Sequence, residues 1–382
     1  MPLPLLKDQF LLRPDITFLN FGSFGACPRP VFERYQQFQL ELEQGPVQFM
    51  TNTGWQYVAN ARKALGEYLD ADADDLVFVT NPSYAVNIIA KSFALRAGDE
   101  VLTTDLEYGA CDRTWQYYCD KVGAHYVRQP IRLPLQSQED FVEQLMAGVT
   151  KKTKLIFLSH ITSSTGIRFP VEKVVAAAKQ FGIMTFVDGA HGPAHVPLSL
   201  RTLDADIYTG ACHKWMMTPK GSSFLYVRRE HQHLFDPLII SWGYKADKPS
   251  HSLFLDYHQQ QGTRDLSAFC CIPAAIDFMK EHNWDDVAAQ CRQLVLKNAL
   301  RFCNLVDAEP LLPLNDFFVR QLFSIPFRTQ EPELLKSRLY NEFKIEIPVM
   351  RQGDKVFVRY SIQAFNTQQD LDRLEEVLTV LR

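Results

Sequence analysis

The sequence predicts an α/β fold in which a mostly parallel, doubly wound sheet is followed by a smaller α+β unit. Apolar, strand-like runs alternate with amphipathic helical runs up to Gly262, and such alternation is typical of a parallel sheet with helices on both faces. Beyond Gly262 the alternation gives way to long helices and short strands. We therefore predict a large domain over residues 20–262 and a small α+β domain formed by residues 1–19 and 263–382.

The first predicted elements are helices that lead into a strand. Apolar residues recur at helical spacing in VFERYQQFQLEL and WQYVANARKALGEYL, and the acidic turn DADADD precedes the apolar strand LVFVT. A new helix begins at NPSYAVNIIAKSF, because Asn81 can accept a hydrogen bond from its first turn and Pro82 suits its first position.

Short strand patterns then alternate with helical patterns. The predicted strands are EVLTT, HYVRQ, KLIFLSH, IMTFV, DADIYTG and SSFLYV, and the helices are ACDRTWQYYCDKV and VEKVVAAAKQF. In such sheets the ligand site lies beyond the carboxyl ends of the strands. The loops TNPS, SHITSSTG, VDGAH and TGACHK all fall there, and we expect them to form one site.

The C-terminal part has a different pattern. Two long helices are indicated by LSAFCCIPAAIDFMKEHN and VAAQCRQLVLKNALRFCNLV, and they are followed by the strands FSIPF, FKIEIPVM and KVFVRYSI and the helix TQQDLDRLEEVLTVL. Residues 230–262 show no steady periodicity, and we interpret them as a functional excursion from the core.

Composition narrows the class of protein. The formal net charge is −4 and the isoelectric point about 6.2, which gives no electrostatic attraction to nucleic acid or to an anionic membrane. The longest apolar runs are too short to span a bilayer, and the N-terminus lacks the pattern of a secretory signal. Eight cysteines without CxxC spacing indicate neither a disulfide framework nor a zinc ribbon. We predict a cytoplasmic protein.

The segment GACHKWMMTPKG places Lys214 between an imidazole and an indole in surroundings poor in charge. Such a lysine is either a packing residue whose aliphatic part is buried or a nucleophile whose amine is partly desolvated. For one lysine alone the packing interpretation is the commoner. The other loops at the same predicted edge of the sheet favour the nucleophile.

Two of those loops suit the two ends of pyridoxal phosphate (PLP). The helix N-terminus at Pro82, with the Ser83 hydroxyl, can bind a dianionic phosphate, although a capped helix without a ligand would have the same sequence. Asp188 ends an apolar strand without a nearby cation, and a buried carboxylate needs a partner such as a protonated pyridine nitrogen. Lys214 would then hold the cofactor aldehyde and carry the proton at the substrate α-carbon.

Eight motifs follow one another between Leu19 and Thr367. They are LNFGSFGACP, TNPSYAVN, DLEYGA, SHITSSTG, VDGAHGP, TGACHKWMMTPKG, QGTRD and VRYSIQAFNT. In this order they resemble the class V aminotransferase family of fold-type I PLP-dependent enzymes, and within it the isopenicillin-N epimerase-like branch. The resemblance covers nearly the whole chain and implies a PLP-dependent isomerase, transferase or lyase that acts on an amino-acid-type substrate.

The resemblance also implies roles for individual residues in catalysis. Lys214 would form the Schiff base with PLP, and Asp188 would pair with the pyridine nitrogen. Tyr108 would stack on the cofactor ring, as aromatic side chains do well. Arg359 would bind the substrate α-carboxylate in a bidentate manner, with Asn20 and Gly22 beside it.

Further residues would bind the cofactor. Ser83, His213 and the backbone at Pro82 would hold the phosphate, and Ser163 and His191 would contact the ring hydroxyl. Thr263 would reach the phosphate of a neighbouring subunit, so that the resemblance implies a homodimer. The sequence departs from the usual family pattern at Pro82-Ser83, where Ala-Thr is more common, and at Ser163, where many relatives have Asn.

The reaction outcome stays open among three. Epimerisation needs a second acid besides Lys214, for which Tyr108, Tyr84 and Tyr244 are possible donors. Transamination needs only the lysine. C–S lysis needs a sulfur leaving group, and the persulfide-forming version is disfavoured because no cysteine occurs from Leu305 to Arg359.

Alternatives outside PLP chemistry have less support. A zinc metallohydrolase could use Asp188, His191 and His195 in the spacing DxxHxxxH, but glycine and proline between them disrupt the helix that would align both imidazoles. A binding protein with a relic site would not need both Lys214 and Asp188. NAD binding is disfavoured because no GxGxxG follows a strand.

Overall fold

The computed structural model describes residues 6–382, with strands that form a large sheet and two small ones. The strands are β1 (Thr17–Phe18), β2 (Leu76–Val79), β3 (Glu100–Thr104), β4 (His125–Gln129), β5 (Thr153–Ser159), β6 (Met184–Gly189), β7 (Ile207–Ala211), β8 (Ser223–Val227), β9 (Leu322–Pro326), β10 (Ile345–Glu346), β11 (Val349–Gln352) and β12 (Lys355–Ser361).

Helices occupy most of the chain between the strands. They are α1 (Phe21–Phe24), α2 (Arg29–Gln44), α3 (Pro46–Gln48), α4 (Gly54–Leu69), α5 (Pro82–Ser92), α6 (Gly109–Val122), α7 (Gln138–Met146), α8 (Val171–Gln180), α9 (Leu200–Leu203), α10 (Leu253–Gln259), α11 (Ser267–Cys270), α12 (Ile272–Glu281), α13 (Trp284–Leu305), α14 (Pro332–Asn341) and α15 (Gln368–Leu381). Between residues 6 and 382, no helix is long and apolar enough to cross a membrane.

The large sheet has seven strands in the order β2-β8-β7-β6-β5-β3-β4. The pairs from β7 to β4 are parallel, whereas β8 is antiparallel to both β2 and β7. The central strands are almost entirely buried, as expected for a sheet covered on both faces. The predicted α/β fold with a mostly parallel sheet is confirmed.

The C-terminal part contains the antiparallel sheet β11-β12-β9. Strand β1, near the N-terminus, pairs in parallel with β10, so that Thr17 lies opposite Ile345. This pairing is consistent with a small domain that includes residues 1–19, of which residues 1–5 lie outside the described residues. The proposed domain boundaries stay a prediction.

Some elements differ from the predicted ones. The long helix predicted over residues 266–283 is divided at Cys271 into α11 and α12, and the second of these begins with Pro273 in its first turn, a position that suits proline because no backbone N–H is needed. The strand predicted for FKIEIPVM is also divided, into β10 and β11, around Pro348, which has no N–H to donate to a sheet. The helices α7 and α14 have no counterpart in the sequence prediction.

Candidate active site

A cavity of about 440 Å³ lies where the loops after the central strands meet. Its lining includes most of the predicted site residues: Gly22, Pro82, Ser83, Tyr108, Ser163, Asp188, His191, His213, Lys214 and Arg359. Asn20 and Thr263 do not line it. Because β5, β6 and β7 are parallel, the loops that follow them leave the same edge of the sheet, and this brings together residues far apart in sequence.

Lys214 lies in the loop that reverses the chain between β7 and β8. Its Nζ is 3.3 Å from Nε2 of His191. Burial, together with the positive charge of Arg359, lowers the pKa of the Lys214 amine to about 8. About a tenth of this amine is therefore neutral at pH 7, and hence nucleophilic, far more than for an ordinary lysine.

Gly25 allows the N-terminal segment to pack against the lysine loop. Its φ is +66°, and a Cβ at this position would lie 2.3 Å from the carbonyl oxygen of His213 and 2.7 Å from that of Lys214. Both the positive φ and these close contacts with carbonyl oxygens exclude any residue other than glycine at this position. The motif LNFGSFGACP thus contributes to the site through a close backbone approach.

Asp188 lies at the end of β6 with only 4% of its surface exposed. Oδ1 accepts a hydrogen bond from the backbone N–H of Ala190 at 3.0 Å, and Oδ2 accepts one from the Cys111 thiol at 3.5 Å. Burial raises the pKa of this carboxyl. It is in no ion pair with a side chain of residues 6–382, and a cationic ring N–H would therefore be a fitting partner.

The proposed phosphate end lies at the start of α5. Asn81 caps this helix, with its side chain accepting from the backbone N–H of Tyr84 at 2.9 Å, and Pro82 occupies the first turn. Ser83 and His213 both line the cavity beside the helix N-terminus. His213 Nδ1 lies 2.8 Å from the carbonyl oxygen of Ser222, and burial lowers the pKa of the imidazole to about 4. A helix N-terminus with an adjacent hydroxyl suits an anion.

Arg359, on β12, is 1% exposed. Its guanidinium donates to the carbonyl oxygen of Ser163 and, at 3.1 Å, to the Ser23 hydroxyl, while its buried Nε has no acceptor in the part of the chain described. Burial lowers its pKa to about 10. No carboxylate among residues 6–382 pairs with it, although buried guanidinium groups favour such a partner.

The remaining predicted site residues lie at the edge of the cavity or outside it. A Cβ on Gly22 would lie 2.7 Å from Leu322 and 3.4 Å from the Arg359 guanidinium, so that glycine leaves room for the arginine. Asn20 has a buried amide oxygen without a partner among the described residues, but it lies outside the cavity lining. Tyr108 is 46% exposed at the cavity wall, and Thr263 is exposed.

Sequence comparison adds a decisive observation to this geometry. The model of the family described as Aminotransferase class-V matches residues 25–374 of the chain. The chain belongs to the class V aminotransferase family. The family resemblance that the eight motifs predict is confirmed.

Several known proteins are similar over nearly the whole length. The isopenicillin N epimerase of Amycolatopsis lactamdurans is 33% identical over 98% of this chain and 97% of its own. A probable chloroplastic L-cysteine desulfhydrase of Arabidopsis thaliana is 25% identical over 96% of this chain and 83% of its own. A mutant of C-DES with glycine covalently linked to its PLP cofactor has a TM-score of 0.81 and 20% identity, with coverage of 98% of each chain.

For this member of the class V aminotransferase family, the zinc alternative has no support. Both ring nitrogens of His195 are used by the backbone: Nε2 accepts from the N–H of Gln321 at 3.0 Å, and Nδ1 lies 3.0 Å from the carbonyl oxygen of His191. Within residues 6–382, no group of three or more His, Cys, Asp and Glu side chains is arranged to hold a metal ion. His195, which the spacing DxxHxxxH suggests as a metal ligand, instead has a structural role, because its ring hydrogen-bonds to two backbone segments.

Glu107 is a buried residue of the site region that the sequence analysis missed. It accepts hydrogen bonds from the Thr104 hydroxyl at 2.7 Å and from the backbone N–H and the hydroxyl of Ser159 at 2.9 and 2.5 Å. Burial raises its pKa to about 8. Ser159 lines the cavity, and Glu107 therefore fixes part of its wall. Glu107 directly precedes Tyr108 in the motif DLEYGA, and this position was the one feature of the sequence that could have indicated it.

Two further lining residues also escaped the motif analysis. Cys111 contacts Asp188, and Ser23 contacts Arg359. Cys111 lies within α6 and Ser23 within the short helix α1, and neither has a spacing in the sequence that marks it as a site residue. Their proximity to the cavity depends on how distant segments pack.

Proposed function

We propose that the protein is a PLP-dependent enzyme that acts at the α-carbon of an amino acid or an amino-acid-derived substrate, with epimerisation as the favoured outcome. The observation that carries this proposal is that Lys214, Asp188 and Arg359 line one cavity, and none of them is ion-paired within residues 6–382. The amine suits the cofactor aldehyde, the carboxylate suits the pyridine nitrogen, and the guanidinium suits the carboxylate of the substrate.

The residues present fit the cofactor. Asp188 would hold the ring nitrogen, the start of α5 with Ser83 and His213 would hold the phosphate, and Tyr108 would cover the ring. Ser163 and His191 would contact the ring hydroxyl. When bound, PLP withdraws electrons from the α-carbon of an amino acid attached to it, and the α-proton becomes acidic.

Lys214 would remove and return this α-proton. Its pKa of about 8 suits a group that must both accept and donate a proton near neutral pH. Arg359 would hold the substrate carboxylate through its guanidinium, and this fixes the α-carbon relative to the amine of Lys214.

Epimerisation is favoured over transamination and lysis by two observations. The isopenicillin N epimerase is 33% identical to this chain, whereas the L-cysteine desulfhydrase is 25% identical. Of the three tyrosines considered as a second acid, Tyr108 lines the cavity, whereas Tyr84 and Tyr244 do not. We propose that Tyr108 is the second acid that epimerisation needs besides Lys214.

C–S lysis is the second candidate function, and the similarity to an L-cysteine desulfhydrase supports it. The persulfide-forming version is disfavoured by the cysteines themselves. Cys27 is half-buried and the other seven are buried, and the one that lines the cavity, Cys111, contacts Asp188. Burial raises the pKa of the Cys111 thiol, which disfavours the nucleophilic thiolate.

A homodimer and a cytoplasmic location belong to the same proposal. Thr263 lies outside the cavity of its own chain and is exposed, as a residue that serves a neighbouring subunit would be. Ile239, Ile240 and Trp242, in the excursion that precedes Thr263, are also exposed, and the Trp242 side chain is 86% accessible. Apolar side chains exposed together favour a protein interface. The absence of disulfides among the described cysteines is consistent with a reducing compartment.

The reaction is tested by incubating the PLP-loaded protein with D- and L-amino acids and with isopenicillin N in D2O. Epimerisation predicts α-deuterium in both stereoisomers and formation of each stereoisomer from the other. Accumulation of a keto acid would instead identify transamination, and release of sulfide with pyruvate would identify C–S lysis. The dimer is tested by light scattering and by mixing Lys214→Ala with Thr263→Ala subunits, which should restore activity at one mixed site.

A further inference from the structure

A second, larger cavity lies next to the histidine that supports the candidate active site. It has a volume of about 870 Å³ and shares no lining residue with the first cavity. Its walls come from α12, from the start of α13, from the segment that contains His195, and from Arg320.

Arg320 is the charged group of this cavity that is not neutralised. It is 9% exposed, and its guanidinium donates to the carbonyl oxygen of His195 at 3.0 and 2.9 Å and to that of Asp316 at 3.3 Å. It forms no ion pair with a carboxylate anywhere in residues 6–382. Three of its five N–H groups are thus used, and two are left for a ligand. A buried cation without a counter-ion is costly.

The other charges around the cavity do not neutralise Arg320. Arg292 is paired with Asp316, with Nε 3.3 Å from the carboxylate. Lys280, Asp285 and Asp286 are exposed at the rim, where water and salt screen them. The buried part of the cavity is therefore positive, while the rim is mixed in charge.

The remaining wall is mainly apolar. Arg320 faces a space bordered mainly by aliphatic and aromatic side chains, among them Ile276, Met279, Trp284 and Ala289. Cavities of this kind, apolar with a few fixed polar groups, are typical of small-molecule sites. Arg359 in the first cavity shows the same combination of burial and missing counter-ion.

We propose that this cavity is a second, non-catalytic binding site for a small organic carboxylate, whose carboxylate pairs with Arg320 and whose apolar part lies against the wall formed by α12 and α13. The guanidinium offers the charge and the unused donors for the carboxylate. The volume and the apolar wall accommodate a body as large as an aromatic ring. His195 connects this site to the first: its ring stacks on Trp215 at 3.7 Å, and the Trp215 indole donates to His191, which lines the first cavity.

The test is calorimetric titration of benzoate into the PLP-loaded Arg359→Met protein, in which the carboxylate-binding residue of the first cavity is removed. One benzoate is expected to bind to each subunit. The additional change Arg320→Met should weaken this binding at least tenfold, and so should Ala289→Trp, which fills the cavity but keeps the guanidinium. Benzamide, which has the same ring without the charge, should bind at least tenfold more weakly than benzoate.

Arg96→Met, in the same Arg359→Met background, is the matched control. Arg96 is exposed and does not line the cavity, and its replacement should leave the affinity unchanged. Each variant is checked by its melting temperature and by its cofactor absorbance. If Arg320→Met fails to fold, the proposal is judged by the benzoate affinity of Ala289→Trp and by the affinity for benzamide. Absence of benzoate binding to the Arg359→Met protein, or affinity that either folded cavity variant leaves unchanged, would overturn the proposal.

Discussion

The indole Nε1 of Trp215 donates a hydrogen bond to Nδ1 of His191 at 3.1 Å. An indole N–H can only donate, so Nδ1 is the acceptor and the neutral imidazole carries its proton on Nε2, the atom 3.3 Å from Lys214 Nζ. Burial keeps the pKa of His191 well below its usual value, so that the ring stays neutral. One buried tryptophan therefore determines which atom of the histidine faces the lysine amine.

Trp215→Phe removes this N–H and keeps most of the ring. Loss of one neutral hydrogen bond costs about 1 kcal/mol, and we expect the rate of α-proton exchange to fall about fivefold. Exchange is measured by NMR in D2O across a range of pH. Trp55→Phe is the matched control, because Trp55 donates to the carbonyl oxygen of Met50 away from the cavity. Equal loss of exchange in both variants would show that the effect is general destabilisation.

The lowered pKa of Lys214 predicts how the apoprotein captures PLP. Only the neutral amine attacks an aldehyde, so capture should accelerate about tenfold per pH unit below pH 8 and level off above it. An ordinary lysine would show no plateau until about pH 10.4. Stopped-flow absorbance measures the rate, and borohydride reduction followed by peptide mass analysis identifies the modified residue.

Lys214→Ala and Lys220→Ala serve as the matched pair for this measurement. Lys220 lies in the same loop and donates to the carbonyl oxygen of Gly25, but it does not line the cavity. Lys214→Ala should abolish the reducible adduct, whereas Lys220→Ala should retain it. A reducible adduct in the Lys214→Ala protein would remove this lysine from the proposed mechanism.

Asp188→Asn keeps the shape of the side chain but removes its charge. Without a carboxylate to stabilise the protonated ring nitrogen, PLP should be held more weakly, and α-proton exchange should fall about 100-fold or more. Asp206→Asn is the control, since Asp206 is a buried carboxylate that accepts from Thr185 away from the cavity. Asp206→Asn should lower the melting temperature, but the rate of α-proton exchange in the PLP-loaded enzyme should stay unchanged. Unchanged exchange in Asp188→Asn would contradict the assignment.

Arg359→Lys retains a positive charge but loses the planar guanidinium. We expect KM for the substrate to rise about 10- to 100-fold with a smaller change in kcat, because two charge-assisted hydrogen bonds cannot both be replaced. Steady-state kinetics provide the measurement. Arg351→Lys, an exposed change on the neighbouring strand β11, should leave KM as it is. An unaltered KM in Arg359→Lys would mean that the substrate carboxylate binds elsewhere.

Much of the fold follows from local patterns. Strand and helix periodicity extends over short stretches of sequence, and for this reason the alternation through β7 and the closing helix α15 could be predicted. The antiparallel direction of β8 could not, because nothing in SSFLYV encodes which way the loop before it turns. The helix α7 was missed although Ser137 accepts from the N–H of Asp140 at its start, a capping signal present in the sequence.

The candidate site divides in the same way. The sequence by itself determined the order of the motifs, the family, and the residue types that can bind an aldehyde, a ring nitrogen and a phosphate. The tertiary structure alone decided that Ser23 meets Arg359 across 336 residues of chain, that His195 supports a tryptophan, and that Glu107 is buried. Burial and hydrogen-bond partners depend on packing between distant segments, and this packing cannot be predicted from short-range sequence patterns.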